Sequence, residues 1–231
     1  LIDLDPQGNA TTGSGIDKQE VEWGGVDVLL EDISIRQAIQ KTDGAGYDLL
    51  AANGDLTAAE VELMSAEDRF HRLSRVLAEV GGDYDYVFID CPPTLNILTL
   101  NAFVASHGVI VPLQCEYYAL EGLTALMETM DRVRESQNPS LQLQGIVRTM
   151  YDSRNRLSVE VSEQLVSHFG ERVYETVIPR NVTLAEAPSY GRPIIYYAPS
   201  SRGAYAYVDL AAEMLERAER ETEQTENGVD E

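Results

Sequence analysis

The sequence has little that could cross-link it, carry it across a bilayer or draw it to a polyanion. Its two cysteines, Cys91 and Cys115, lack CxxC spacing and are too few to staple 231 residues, so both are expected as small buried thiols. No apolar run approaches the ~20 residues of a membrane-spanning helix, and the first residues show no basic stretch followed by an apolar stretch and a small-residue cleavage site. A soluble, cytoplasmic protein is expected. Basic residues are scarce, 17 against 39 acidic, and the formal net charge of −22 repels nucleic acid and anionic lipid at long range. Any contact with DNA is therefore expected at a local basic patch, or at one assembled by a dimer. No GxxxxGK[ST] phosphate-binding loop occurs anywhere along the chain.

What the sequence does have is apolar content, 44%, enough for one substantial core. Short β-branched or apolar runs alternate with longer segments of helical period, the pattern of a doubly wound α/β fold in which a mostly parallel sheet carries helices on both faces. Strands are expected over 1–4, 47–51, 86–90, 108–113, 143–150 and 174–178. Short helical pieces are expected over 26–40, and longer helices over 57–64, 69–80, 96–105, 119–135, 157–169 and 203–217. The first of these strands is already ending where the sequence starts, which reads as a fold whose first strand and phosphate loop are missing. Residues 1–215 are expected to form one domain, and 216–231, with almost nothing apolar to bury, a disordered acidic tail.

Open parallel sheets bind ligands at the carboxyl ends of their strands, which singles out Asp3, Asp5 and Asp90. Asp90 closes the apolar run Tyr86-Val87-Phe88-Ile89 and precedes Cys91-Pro92-Pro93, so its carboxylate stands where a phosphate-bound Mg²⁺ could be held, the arrangement of a Walker B acid. A strand ending in Asp before a proline turn is also ordinary turn chemistry. Asp5 opens the loop Asp5-Pro6-Gln7-Gly8-Asn9-Ala10-Thr11-Thr12-Gly13, which could hold a carboxylate near a γ-phosphate or could simply be an Asx-type turn leaving a strand.

Asp3-Leu4-Asp5-Pro6-Gln7-Gly8-Asn9 resembles the switch segment of the ParA and Soj partition ATPases, deviant Walker A members of the P-loop NTPases. The likeness continues in Phe88-Ile89-Asp90-Cys91-Pro92-Pro93, in the stretch 112–122, and in Ile178-Pro179-Arg180-Asn181-Val182 taken together with 185–191. Four ordered matches over most of the chain carry far more weight than any one. The resemblance implies an ATPase for chromosome or plasmid segregation that uses ATP and Mg²⁺, dimerises on ATP, binds DNA without sequence preference and is stimulated by a ParB-type centromere-binding protein, in the cytoplasm at the nucleoid. It implies Asp5 as the acid that positions the attacking water, Asp90 as a Mg²⁺ acid acting through water with Asp3 on the same metal side, and Met150, Pro179 and Asn181 around the adenine. Among Arg148, Arg154, Arg156, Arg180, Arg192 and Arg202, the last three are the favoured DNA contacts. The missing phosphate loop departs from the family, and implies that the chain by itself neither binds ATP tightly nor hydrolyses it. A non-catalytic DNA-binding or scaffold relative and a MinD-like division-site ATPase are the alternatives, the latter disfavoured by an acidic end that anionic membrane repels.

Overall fold

The computed structural model describes residues 1–30 and 33–227, with side chains described as far as Arg220. In chain order the first half runs β1 (Ile2–Asp3), α1 (Asn9–Gly13), α2 (Gly25–Leu29), α3 (Ile35–Ala38), β2 (Ile39–Lys41), β3 (Asp48–Leu50), α4 (Leu56–Leu63), α5 (Arg72–Ala78) and β4 (Ile89–Asp90). The second half runs α6 (Ile97–Ala105), β5 (Gly108–Gln114), α7 (Ala119–Ser136), β6 (Gln142–Tyr151), α8 (Arg156–Phe169), β7 (Val173–Pro179), α9 (Val182–Glu186), α10 (Ile194–Tyr197) and α11 (Arg202–Asn227).

The strands form two hydrogen-bonded sheets rather than one. The first has the order β2-β3-β1-β4, with β1 parallel to both neighbours and β2 antiparallel at the edge. The second, β5-β6-β7, is entirely parallel. Helix α6 joins them: Ile97, Leu98 and Ala102 pack into the core beneath the first sheet, while Leu100, Phe103 and Val104 pack into the core of the second. Asn96 starts this helix by accepting the N–H groups of Leu98 and Thr99, both at 3.1 Å, which satisfies two of the donors a helix start leaves unpaired.

The second sheet shows why continuous apolar runs make parallel strands. On β6, Ile146 faces α7 and α8 with Met130, Val133, Val161 and Leu165, whereas its neighbour Val147 faces α11 with Ala206 and Leu210. Val173 and Tyr174 on β7 divide in the same way. A period of two turns each adjacent pair to opposite faces, so a strand covered on both sides needs apolar residues at every position. Burying one such side chain stabilises the fold by about 1.5–3 kcal/mol.

Three expectations are corrected. The stretch 26–40 is not helical throughout, because Ile39 leaves α3 and pairs with Leu50 to begin β2. The strand expected over 86–90 is reduced to Ile89–Asp90, and the single sheet is divided, because among the described residues nothing pairs with β4 on the side away from β1. Tyr86, Val87 and Phe88 are consequently 60%, 39% and 50% exposed, an apolar approach to a strand with one open edge. The last helix runs past 217 to Asn227, and residues 228–231 of the expected acidic tail lie outside the described residues.

Candidate functional site

At the carboxyl end of β1 the chain makes a loop around one buried carboxylate. Asp3 is 0% exposed; its Oδ1 accepts the Asp5 N–H at 3.1 Å and its Oδ2 accepts the Thr11 N–H and hydroxyl, each at 2.8 Å. Burial pushes the Asp3 carboxyl above its usual range, and the Thr11 and Asp5 donors oppose that rise. Asp3 was expected on the metal side with Asp90. In this structure its oxygens accept from the loop and its side chain is closed to solvent, while Asp90 beside it is exposed.

Asp5 is half-buried, and its Oδ1 accepts the Gln7 N–H at 2.9 Å while its carbonyl accepts the Gly8 N–H at 2.8 Å. The Asx-type turn is therefore present, with the second carboxylate oxygen of Asp5 outside it. Gly8 has φ +62, and a Cβ there would lie 2.7 Å from the Ala52 carbonyl oxygen, so the loop can cross the end of β3 only with glycine at this point.

Asp90 sits directly across the ladder from Asp3, the two being register partners on β4 and β1. Its side chain reaches solvent at the sheet end. Partial burial, and then the charges of Asp3 and Asp5, push its carboxyl up to about 6. Neither Asp5 nor Asp90 pairs with a cation among the described residues. An uncompensated group of acids suits a divalent cation, and the only open carboxylates in it are those of Asp90 and Asp5. The described residues hold no preformed set of three His, Cys, Asp or Glu ligands, so phosphate and water oxygens would have to complete the coordination.

The residues expected around the adenine lie together at the carboxyl ends of β6 and β7, where Tyr151 is the register partner of Pro179 and the Arg180 N–H donates to the Tyr151 carbonyl at 3.3 Å. Met150, 42% exposed, holds φ at +49, a left-handed conformation uncommon outside glycine. Asn181 is already employed: its Oδ1 accepts from the Leu184 N–H at 3.2 Å and from the Thr183 hydroxyl, capping α9. Among the described residues its side-chain NH₂ has no partner.

The arginines separate sharply. Arg148 donates to Ser162 Oγ and to the Tyr174 and Glu175 carbonyls at 2.8–2.9 Å, a structural clamp across β6, β7 and α8. Arg154 is bidentate to Asp152, whose carboxyl its hydrogen bonds draw down to about 2, and Arg156 pairs with Glu160. Arg180, Arg192 and Arg202 are exposed and pair with no carboxylate among the described residues.

Two features escaped the sequence. Thr11 gives no sign in the pattern that its hydroxyl binds the acid eight residues earlier. Gly15 and Gly191, from opposite halves of the chain, touch backbone to backbone, and this brings the Asp5 loop against the segment after β7.

Comparison with known proteins adds what geometry alone does not. A family model described as an AAA domain matches residues 1–143. The sporulation initiation inhibitor protein Soj of Bacillus subtilis is 48% identical over 214 residues, 93% of this chain and 85% of that protein. The chromosome partitioning protein ParA of Caulobacter vibrioides is 48% identical over 219 residues, 94% of this chain and 82% of that one. The chain belongs to the ParA/Soj family of chromosome-partitioning ATPases. Among solved structures, a Mycobacterium smegmatis protein titled cobyrinic acid a,c-diamide synthase, with an ATP analogue and magnesium bound, is 40% identical at a TM-score of 0.81, covering 93% of this chain and 80% of that one. The fold of this ParA/Soj member is also that of MinD from Pyrococcus horikoshii, at a TM-score of 0.74 and 24% identity. Solved structures of the Mycobacterium smegmatis relative thus hold an ATP analogue or ADP together with magnesium. Among the described residues no helix is long and apolar enough to cross a membrane.

Proposed function

We propose that this chain is the larger part of a ParA-type ATPase that segregates chromosomal or plasmid DNA, hydrolysing ATP to ADP and phosphate. The observation that carries the reading is the nearness of Asp5, two residues past β1, to Asp90 on the neighbouring β4, whose carboxyl its charge helps to raise, in a chain 48% identical to Soj and ParA. Asp5 orients the attacking water; Asp90 secures Mg²⁺ through water; Met150, Pro179 and the free amide of Asn181 border the adenine. Bound Mg²⁺ would neutralise charge on the phosphates. The loop 6–13 reports the loss of the γ-phosphate by moving as a switch.

The proposal extends to a homodimer formed on ATP binding, to non-specific DNA contact through Arg180, Arg192 and Arg202, to stimulation by a ParB-type protein, and to a cytoplasmic, nucleoid-associated location. Residues 1–215 are taken as the ATPase domain and 216–231 as an acidic tail. The sequence contains no phosphate-binding loop, and the uncovered β4 edge with exposed Tyr86, Val87 and Phe88 supports a further strand pairing there and carrying it. The absence of that loop is also what favours the second reading, a non-catalytic DNA-binding or scaffold relative.

The test is Mg-ATP binding and hydrolysis, with and without DNA, by this chain and by a version extended upstream through its natural coding sequence. Activity in the extended version alone supports the partition ATPase; inactivity of both favours the non-catalytic relative.

A further inference from the structure

A single carboxylate closes the loop that carries Asp5. Asp3 Oδ1 holds the Asp5 N–H and Asp3 Oδ2 holds the Thr11 N–H, so both ends of the segment 5–11 hang on one side chain. The Thr11 hydroxyl completes the arrangement. It donates its one proton to Asp3 Oδ2 at 2.8 Å and accepts the Ala52 N–H at 2.9 Å, which ties the loop to the residue that leaves β3. Asp3 and Thr11 are both 0% exposed, and Ala52 is 1% exposed, so water does not compete for the bonds that Thr11 makes. A hydroxyl can serve as donor and acceptor at once, which is what this position requires and what an aliphatic side chain of the same shape cannot supply.

Asp5 itself is held weakly by comparison. Among the described residues its side chain accepts only the Gln7 N–H, from within the same loop. Where its carboxylate points therefore depends on the backbone at Asp5, and that backbone depends on the Asp3 clamp. We infer that Thr11 is a positioning residue for hydrolysis, holding through Asp3 the loop that presents the Asp5 carboxylate. This inference rests on the role proposed for Asp5 above.

Without the hydroxyl, the Ala52 N–H and Asp3 Oδ2 each lose a partner in a buried site. The loop then relaxes by local motion, and a catalytic group displaced by ~1 Å can cost on the order of a hundredfold in rate. Nucleotide affinity, set mainly by the phosphate loop and the adenine side, is spared.

The experiment compares Thr11→Val and Thr11→Ser in the natural full-length protein. It reads kcat, nucleotide dissociation constant, and hydrogen exchange at the Thr11 and Ala52 amides without nucleotide. Thr11→Val is expected to lower kcat by about tenfold to a hundredfold with affinity changed by less than about threefold, while Thr11→Ser stays within about threefold of the parent. The Ala52 amide should exchange at least about tenfold faster in Thr11→Val than in the parent. Normal hydrolysis in Thr11→Val, or a serine variant no better than the valine one, overturns the inference. Should Thr11→Val not fold, the parent decides: rapid exchange at both amides overturns the clamp, and slow exchange together with full activity in Thr11→Ser upholds it. A parent that binds Mg-ATP and never hydrolyses it sinks the role of Asp5, and the inference with it. Slow exchange with unimpaired hydrolysis in Thr11→Val sinks the inference alone.

Discussion

Gly15 and Gly191 lie in backbone contact: a Cβ on Gly191 would fall 2.5 Å from Gly15 Cα, and one on Gly15 would fall 2.9 Å from the Gly191 carbonyl oxygen. Both have positive φ, +86 and +59. The loop after β1 therefore meets the segment after β7 with no side chain between them, and what moves one loop is felt by the other. Gly191→Ala combines left-handed backbone strain with a clash against backbone that cannot rotate away. A loss of about 2–4 kcal/mol is expected, read as a lower denaturant midpoint at unchanged slope. A midpoint equal to the parent's would mean that the two loops separate freely.

Asp90 should make stability depend on pH in the direction opposite to that of most carboxylates. Its folded-state value of about 6 lies above the usual 3.8, so the folded protein holds this proton more tightly than the unfolded chain does. Its contribution is greatest below about pH 4 and is lost as pH rises through about 6. Asp90→Asn should therefore gain stability over the parent above pH 6 and lose that advantage near pH 4. The gain is well short of the ~1.4 kcal/mol per unit shift of a buried group, because Asp90 is open to solvent. Thermal unfolding of both proteins from pH 4 to 8 without Mg²⁺ measures it. The same variant should weaken Mg²⁺ dependence of hydrolysis in the full-length protein.

Asp5→Ala in the full-length protein is expected to reduce hydrolysis by about a hundredfold or more while nucleotide still binds. An unchanged rate would remove Asp5 from the reaction and leave it as turn chemistry.

The arginines divide into contrasting outcomes. Arg180→Ala and Arg192→Ala should each weaken DNA binding uniformly across sequences and reduce the salt slope by about one. Arg148→Ala should instead destabilise the fold, since its guanidinium joins Ser162 to the Tyr174 and Glu175 carbonyls. Titrations at several salt concentrations, beside unfolding curves, separate the two effects.

Much of the fold was legible along the chain. The expected helix 96–105 is capped by Asn96 and formed over Ile97–Ala105, and the strands at 143–150 and 174–178 lie within β6 and β7, because their periodicity and punctuation are local. β2 was not legible: Ile39–Lys41 is a strand only because Asp48–Leu50 lies beside it with free backbone donors and acceptors. The two-residue length of β4 was equally hidden, since the apolar run 86–89 promises a strand whether or not a partner is present to pair with it.

The acids at the strand ends were readable as Asp3, Asp5 and Asp90, because a residue's place at the end of an apolar run is a property of sequence. Their division of labour was not. Only the packed structure turns Asp3 inward onto Thr11, whose hydroxyl takes the Ala52 N–H, leaves Asp90 facing solvent, and commits Arg148 to Ser162 and two backbone carbonyls while Arg180, Arg192 and Arg202 stay open. Sequence by itself determined which residue types stand at the carboxyl ends of the strands, since alternation and turns are written locally. Tertiary structure decided which of those polar groups are consumed by the fold, because hydrogen-bond partners 41 residues apart, such as Thr11 and Ala52, meet only when the chain is folded.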